Sequence, residues 1–301
     1  MIKKIKPWLS AFRLRTLPLS VSGIIIGSCF AYYNGKFDGL IMTCAILLTI
    51  ALQILSNLAN DYGDGIRGTD NENRIGPERA IQSGAITPTK MFDAIKINVL
   101  IVIVLTVGLI FVSFGSKYLL YTILFFLLSG FSVYAAINYT VGSSPYGYRG
   151  LGDVFVFIFF GILSVVGTYF LYTKHLDHHV WLPAISLGFL SMGVLNLNNM
   201  RDIESDKLSG KETLAVKLGK DKAKTYHLTL IFLAIVVSIV FSLLYFSNFW
   251  NFLFYIAFIP LSIHINKVRK AKDPRDFDPQ LKVLALTTFL FSILLGIGYI
   301  L

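Results

Sequence analysis

Charge, cysteine and histidine are all scarce in this chain of 301 residues, and each shortage removes a class of answers. Charged residues make up 15% of it and apolar ones 55%, with a mean hydropathy of +0.67. Soluble domains lie near about 45–50% apolar and seldom repeat uncharged runs of about 20 residues, so a soluble globular fold is excluded. The two cysteines, Cys29 and Cys44, both sit in apolar runs, which predicts packed, reduced thiols and no disulfide. IGSC at Ile26–Cys29 loosely resembles a lipoprotein processing site, but cleavage there would remove one member of a consistent helix set. Of the five histidines, three fall in HLDHH (His175–His179). That tract resembles a metal site on paper and is read as a solvated turn of an outer loop, while His227 and His264 stand isolated at span edges. The short alternating strands of a membrane β-barrel are missing, and no low-complexity stretch or soluble domain is visible.

What is present is apolar sequence in blocks. Nine can be marked, at about 16–34, 37–59, 93–114, 117–138, 151–172, 181–199, 226–246, 249–267 and 282–300. At ~1.5 Å per residue each is long enough to cross a hydrocarbon core of ~30 Å as a helix. The predicted fold class is therefore all-α: a polytopic membrane protein with nine transmembrane helices around a central cavity. Lys3–Arg15 alternates basic residues with Trp8, Leu9 and Phe12, which suits a helix lying in the interface, and Pro18 marks the entry to the first span. Placing the N-terminus in the cytoplasm leaves Lys36, Lys117 and Lys174 as the only basic residues on the far side. The net charge of +10 is then chiefly a topology signal. Nucleic-acid binding is a poor reading, because the basic residues are spread over short loops.

Two acid-rich segments cap two of these spans: NLANDYGDGIRGTDNENRIGPERAIQSG (Asn57–Gly84) and NLNNMRDIESDKLSGKETLAVKLG (Asn196–Gly219). Asn57, Asp61 and Asp64 fall at i, i+4, i+7, and Asn198, Asp202 and Asp206 at i, i+4, i+8. Each set projects from one helix face, beginning at a depth where polar side chains are costly. The segments follow the second and sixth spans, as in a weak duplication of a four-helix unit. The expected organisation is a single domain, 1–301, with halves at about 16–138 and 151–267 and a ninth helix at 282–300. A pseudo-twofold arrangement would set the stripes facing each other across the cavity. The loops after them, of about 30 and 25 residues, have lengths typical of lids and binding loops, and Glu212–Lys217 is regular enough for a short helix.

Facing carboxylates with Lys and Arg close by point to divalent cations carrying a phosphorylated ligand. Mg²⁺ takes oxygen ligands and commonly bridges one or two carboxylates to substrate phosphates. Asn60, Asp61 and Asp64 would supply one set, Asp202 and Asp206 another. No His or Cys lies among them, which argues against zinc. A diphosphate held between two cations becomes a good leaving group. Arg67, Arg74, Arg79, Arg201 and Lys211 add donors suited to phosphate oxygens. Solvated cytoplasmic loops would account equally well for the charges beyond Asp70, but not for stripes that begin inside apolar helix. A third segment, Ile137–Gly161, carries Tyr139, Tyr146 and Tyr148 with Arg149 and Asp153. Tyrosines are ordinary at membrane interfaces, yet clustered here they would also suit diphosphate oxygens or a cation over their ring faces. Asp153 is either an N-cap or a polar group in the cavity. A transporter would place its ionisable groups near the midplane on broken helices, and no span is broken by paired Gly and Pro at its centre.

These motifs resemble the UbiA superfamily of intramembrane aromatic prenyltransferases over nearly the whole chain. NDYGD and RDIESD resemble its two Asp-rich motifs. RLRTLPLS (Arg13–Ser20), RIGPERAIQSG (Arg74–Gly84), YGYRGLGDVFVFIFFG (Tyr146–Gly161) and NNMRDIESDKLSGKETLAVKLG (Asn198–Gly219) are most similar to the branch that prenylates 1,4-dihydroxy-2-naphthoate. The resemblance implies a Mg²⁺-dependent ionisation of a polyprenyl diphosphate to an allylic cation, which an electron-rich aromatic ring attacks. In the naphthoate branch the attacked carbon bears the carboxylate, so CO₂ leaves and demethylmenaquinone results. It implies Asn60, Asp61 and Asp64 as the first metal motif, Asp202 and Asp206 as the second, and Arg74 and Lys211 near the diphosphate. One position departs from the general pattern: Gly68 stands where another Asp is expected, with Asp70 the nearest substitute. Arg15 is expected to help hold the acceptor carboxylate. Asn57, Arg67, Arg79, Tyr139, Tyr148, Asn198 and Arg201 are expected to line the substrates. A bacterial inner membrane, with the site toward the cytoplasm, is implied. The alternative acceptors within the superfamily include 4-hydroxybenzoate.

Overall fold

The structure is a computed structural model that describes residues 2–70 and 75–301. Among the described residues it is helical throughout, with no strand, and nine helices are long and apolar enough to cross a membrane. The chain is a multi-pass membrane protein. Arg74, expected near the diphosphate, lies outside the described residues.

Local chemistry explains where the helices start and stop. Helix α1 (Ile2–Phe12) is cut from α2 (Leu17–Tyr33) by Arg13, which adopts a left-handed φ of 49°. Pro18 sits in the first turn of α2, where a missing N–H costs nothing. Asp38 starts α3 (Gly39–Ile66) by accepting the N–H groups of Leu40 and Ile41. Thr87 caps α4 (Pro88–Phe114), and α5 (Leu119–Asn138) follows after a turn. The fifth span runs without interruption through α6 (Gly152–Val156), a π-helical stretch (Phe157–Gly167) and α7 (Thr168–Thr173). Helix α8 (Trp181–Arg201) breaks at Asp202 into the short α9 (Ile203–Leu208). Thr213 caps α10 (Leu214–Leu244), which bends at Gly219 (φ 75°, ψ 169°). A 3₁₀ segment (Phe249–Ala257) leads into α11 (Phe258–Lys270), and α12 (Phe277–Ile300) completes the set.

Several helices outrun the apolar blocks that signal them, because hydropathy marks the membrane and not the end of helical hydrogen bonding. Helix α3 carries on to Ile66, so Asp61 and Asp64 are still helical. The expected short helix at Glu212–Lys217 is the first turns of α10, before its bend. The two acid-rich connections are correspondingly shorter than the sequence suggests.

Helix α8 forms the centre of the second half, packed on α10, the fifth span and α12, while α12 also returns against α2. Small residues permit the closest approach: a Cβ on Gly161 would lie 2.7 Å from the Ala184 carbonyl oxygen, so the backbones of the fifth span and α8 touch there. The first half is thinner. Only 6% of the apolar window of α5 is buried, against 61% for α8, leaving side chains such as Leu120 and Leu127 for lipid. Between the halves lies a cavity of about 410 Å³. Its polar end is lined by Arg13, Arg15, Asn57, Asn60, Arg79 and Asn198, and its far end by Leu109, Ile110, Phe125 and Leu171.

Candidate active site

Burial sets the terms for the acids beside the polar end of this cavity. Asp61, Asp64, Asp70, Asp202, Asp206 and Lys211 are all buried, at 1–8% exposure, so each charge requires a partner. The first stripe occupies the last turns of α3. Asn57 donates to the Phe12 carbonyl at 3.0 Å, tying α3 to the break between α1 and α2. Asn60 accepts weakly from Thr140 at 3.4 Å. The chain then turns back on itself. Gly68, at φ 71°, donates to Gly65 O (3.3 Å) and Thr69 N–H to Asp64 O (3.0 Å), the paired bonds of a Schellman ending. The position that carries Asp in the general superfamily pattern is therefore a left-handed turn residue here, which favours glycine. The turn brings Asp70 to 3.8 Å from Arg79 Nε, and Arg79 Nε also lies 3.9 Å from Asp61. The Ala80 N–H donates to Asp61 Oδ2 at 3.3 Å.

Lys211 joins the two halves. Its Nζ is 3.1 Å from Asp64 Oδ2 and 3.9 Å from Asp206 Oδ1, so the stripes of α3 and α9 meet across one ammonium. Burial alone would depress the Lys211 pKa, but Asp64 and Asp206 outweigh it and hold the group above the usual lysine range. Tyr148 donates to Asp64 Oδ1 at 2.8 Å and shares a 2.6 Å hydrogen bond with Thr69. Its ring stacks under Lys211 (5.4 Å) and Arg67 (5.0 Å). Burial, then the Asp64 charge, raises the Tyr148 phenol above its ordinary range.

The second stripe does not continue on one helix face. The chain leaves helical geometry at Asp202, so Asn198 belongs to α8 and Asp206 to α9. Arg201 explains the break's stability: it grips Asp202 through Nε–Oδ1 (2.8 Å) and Nη2–Oδ2 (2.7 Å), and reaches Asn198 at 2.9 Å and Asp278 at 2.5 Å. Asp278, at the start of α12, carries no spacing signal that links it to this arginine. Of the remaining expected residues, Arg67 is exposed and donates to the Gly142 carbonyl. Arg15 is exposed at the mouth of the cavity, and Tyr139 lines the cavity beside Tyr146, its phenol pushed up to about 12 by burial. Asp153 is not an N-cap, since Leu151 holds that place; its carboxylate accepts from Tyr226 at 3.1 Å.

The donor set suits a hard divalent cation. Every acid here offers oxygen, and Asp61 Oδ1 is buried with no hydrogen-bond donor. No three of the described carboxylates converge within 4.8 Å, but Mg²⁺ needs only one or two carboxylates when substrate phosphate and water complete its shell. Lys211 and Arg201 meanwhile supply positive charge to the acids.

The UbiA prenyltransferase family model matches residues 20–297. The chain is 41% identical over 297 residues to 1,4-dihydroxy-2-naphthoate octaprenyltransferase of Escherichia coli (strain K12), covering 99% of this chain and 96% of that one. It is 41% identical over 298 residues to the Haemophilus influenzae protein of the same name, covering 98% and 96%. Among solved structures, the apo form of a UbiA homolog from Aeropyrum pernix K1 has a TM-score of 0.70 at 15% identity, covering 95% and 97%. A UbiA homolog from Archaeoglobus fulgidus bound to GPP and Mg²⁺ has a TM-score of 0.65 at 13% identity, covering 96% and 99%. Matched along almost its full length, the chain belongs to the UbiA prenyltransferase family.

Proposed function

We propose that the protein transfers a polyprenyl group from polyprenyl diphosphate to 1,4-dihydroxy-2-naphthoate, with loss of CO₂ and diphosphate, at the membrane. The observation that carries this reading is a buried acid and lysine cluster beside a mostly apolar cavity, joined to it by the cavity-lining Asn60 and Arg79, in a chain 41% identical to naphthoate prenyltransferases. The cavity holds the prenyl tail, and its polar end holds both reacting groups. Asn60, Asp61 and Asp64 on one side, and Asp202 and Asp206 on the other, would hold Mg²⁺. Mg²⁺ held there would supply positive charge to stabilise the diphosphate as a leaving group.

The protein's own side chains do the rest. Arg79 and Lys211, with Arg74 and Arg67, orient the diphosphate oxygens as it leaves. Tyr148 fixes the Asp64 carboxylate, and Tyr139, which lines the cavity, would offer a π face to the allylic cation. Arg15 holds the acceptor carboxylate at the cavity mouth. The ring carbon bearing that carboxylate attacks the cation, and the carboxylate leaves as CO₂, its bonding pair restoring the aromatic ring. Water would capture the cation, so an apolar, membrane-embedded cavity is what the chemistry requires.

The basic residues favour a cytoplasmic N-terminus and an acid cluster facing the cytoplasm of a bacterial inner membrane. One domain, 1–301, of two approximate four-helix halves (about 16–138 and 151–267) plus a ninth helix fits the meeting of the two stripes at Lys211.

The test is a product assay in detergent with a polyprenyl diphosphate and the naphthoate, with and without Mg²⁺. Mg²⁺-dependent prenylated quinol together with CO₂ is expected. Prenylation of 4-hydroxybenzoate alone would overturn the acceptor, and silence with every aromatic acceptor would overturn the reaction.

A further inference from the structure

At the opposite end of the bundle, the turn between α7 and α8 gathers a second set of ligating groups. Helix α8 separates it from Asp202 by 21 residues, or ~30 Å at 1.5 Å per residue. Asp177 Oδ1 lies 3.1 Å from His178 Nδ1 and 3.1 Å from His179 Nδ1, and one ligand atom from each of the three residues falls within 4.8 Å of the others. Among the described residues no other three His, Cys, Asp or Glu converge this way.

We propose that Asp177, His178 and His179 form a transition-metal site, best suited to Zn²⁺, distinct from the Mg²⁺-type acid cluster. Two imidazoles and one carboxylate are a borderline-soft set that Mg²⁺ does not favour. Ligand atoms ~2.0–2.2 Å from a tetrahedral ion lie about 3.3–3.6 Å apart, so the two 3.1 Å separations need to open by only a few tenths of an ångström to admit one. Water takes the fourth position, since His178 is exposed on one side.

The site is held before any ion arrives. The Asp177 carboxylate caps the turn through the His178 N–H at 2.7 Å. The His179 ring is packed against Phe30 (5.1 Å) and Tyr169 (5.4 Å), and Nδ1 is its sole polar contact, because Nε2 is buried without a partner. Tyr169 in turn accepts from Asn34 at the end of α2. An ion here would pin the α7–α8 turn to α2 at the apolar end of the cavity.

Zn²⁺ binding to tag-free, detergent-purified protein is measured by calorimetry with Mg²⁺ in excess, so the acid cluster is saturated. One Zn²⁺ per chain is expected, with a rise in the thermal unfolding midpoint and, on replacing Zn²⁺ by Co²⁺, the strong visible bands of tetrahedral cobalt. His178→Ala removes a 79% exposed ring whose ring contacts are Tyr245 and His179; it should weaken Zn²⁺ at least 10-fold, as should Asp177→Asn, which keeps every ring in place. Asp61→Asn should leave Zn²⁺ binding unchanged. No Zn²⁺ bound by the natural chain, binding indifferent to His178→Ala, or binding lost in Asp61→Asn would each overturn the proposal.

Discussion

Asp61 and Asp202 occupy matching places in the two Asn–Asp stripes, four residues after Asn57 and Asn198, yet the protein holds them in opposite ways. Asp61 sits at the end of a continuous helix, receives one backbone N–H, and keeps a buried oxygen without a hydrogen-bond donor. Asp202 sits where its helix breaks, with both oxygens taken by an arginine that is itself 2% exposed. The difference separates readiness from integrity. The first stripe offers ligand capacity at once, whereas the second also holds α8 to α12 through Arg201 and Asp278. Lys211, placed between Asp64 and Asp206, couples the two.

Substitution of the acids has the largest expected effect. Asp61→Ala, Asp64→Ala, Asp202→Ala and Asp206→Ala should each lower turnover by about 10²–10³-fold, the scale of removing one group that stabilises developing charge. Turnover near that of the natural protein in any of them removes that residue from the metal site. Arg201→Ala should break the comparison in another way. It leaves buried Asp202 without its strongest partner, at a cost of about 3–5 kcal/mol in unfolding free energy. Arg79→Ala removes contacts of 3.8 and 3.9 Å only. Its midpoint of thermal unfolding should hardly move, while the KM for the diphosphate rises. Equal stability losses in the two variants would mean that Asp61 and Asp202 are held alike.

The fold and the stripes were legible because both are periodic: apolar blocks of membrane length, and acids at i, i+4, i+7 on a helix that does continue. The break at Asp202 was not, because RDIESD has helical spacing and the long-range bond that accompanies the break, from Arg201 to Asp278 77 residues away, leaves no mark in local spacing. Lys211 was named as a phosphate donor, but its place between the halves depends on a turn that the spacing does not encode. Thr69, Ala80 and Asp278 carry no signal for the same reason, since a backbone N–H, a threonine and an acid in another span give no pattern. Asp153, at a plausible cap position, instead finds Tyr226, 73 residues away.

Smaller effects sharpen the picture of the first stripe. Tyr148→Phe deletes the hydrogen bonds to Asp64 and Thr69 while keeping the ring beneath Lys211. A net loss of about 0.5–1.5 kcal/mol corresponds to a roughly 2–10-fold fall in turnover, and unchanged turnover would mean that Asp64 needs no such orientation.

The smallest expected effect concerns Gly68, where the superfamily pattern has Asp. Gly68→Asp would restore the pattern's acid, and its Cβ would meet no atom within 4 Å, so sterics do not forbid it. The backbone does: at φ 71° a side chain costs about 1–2 kcal/mol, although Asp tolerates this conformation better than most. A gain in activity would make the missing acid a functional loss. A drop of about 1 kcal/mol in stability with no gain would show that the Schellman turn, which carries Asp70 to Arg79, has replaced it. The second outcome is expected, with Asp70→Ala then lowering turnover less than Asp64→Ala, because Asp70 enters the cluster from the loop and not from the helix face.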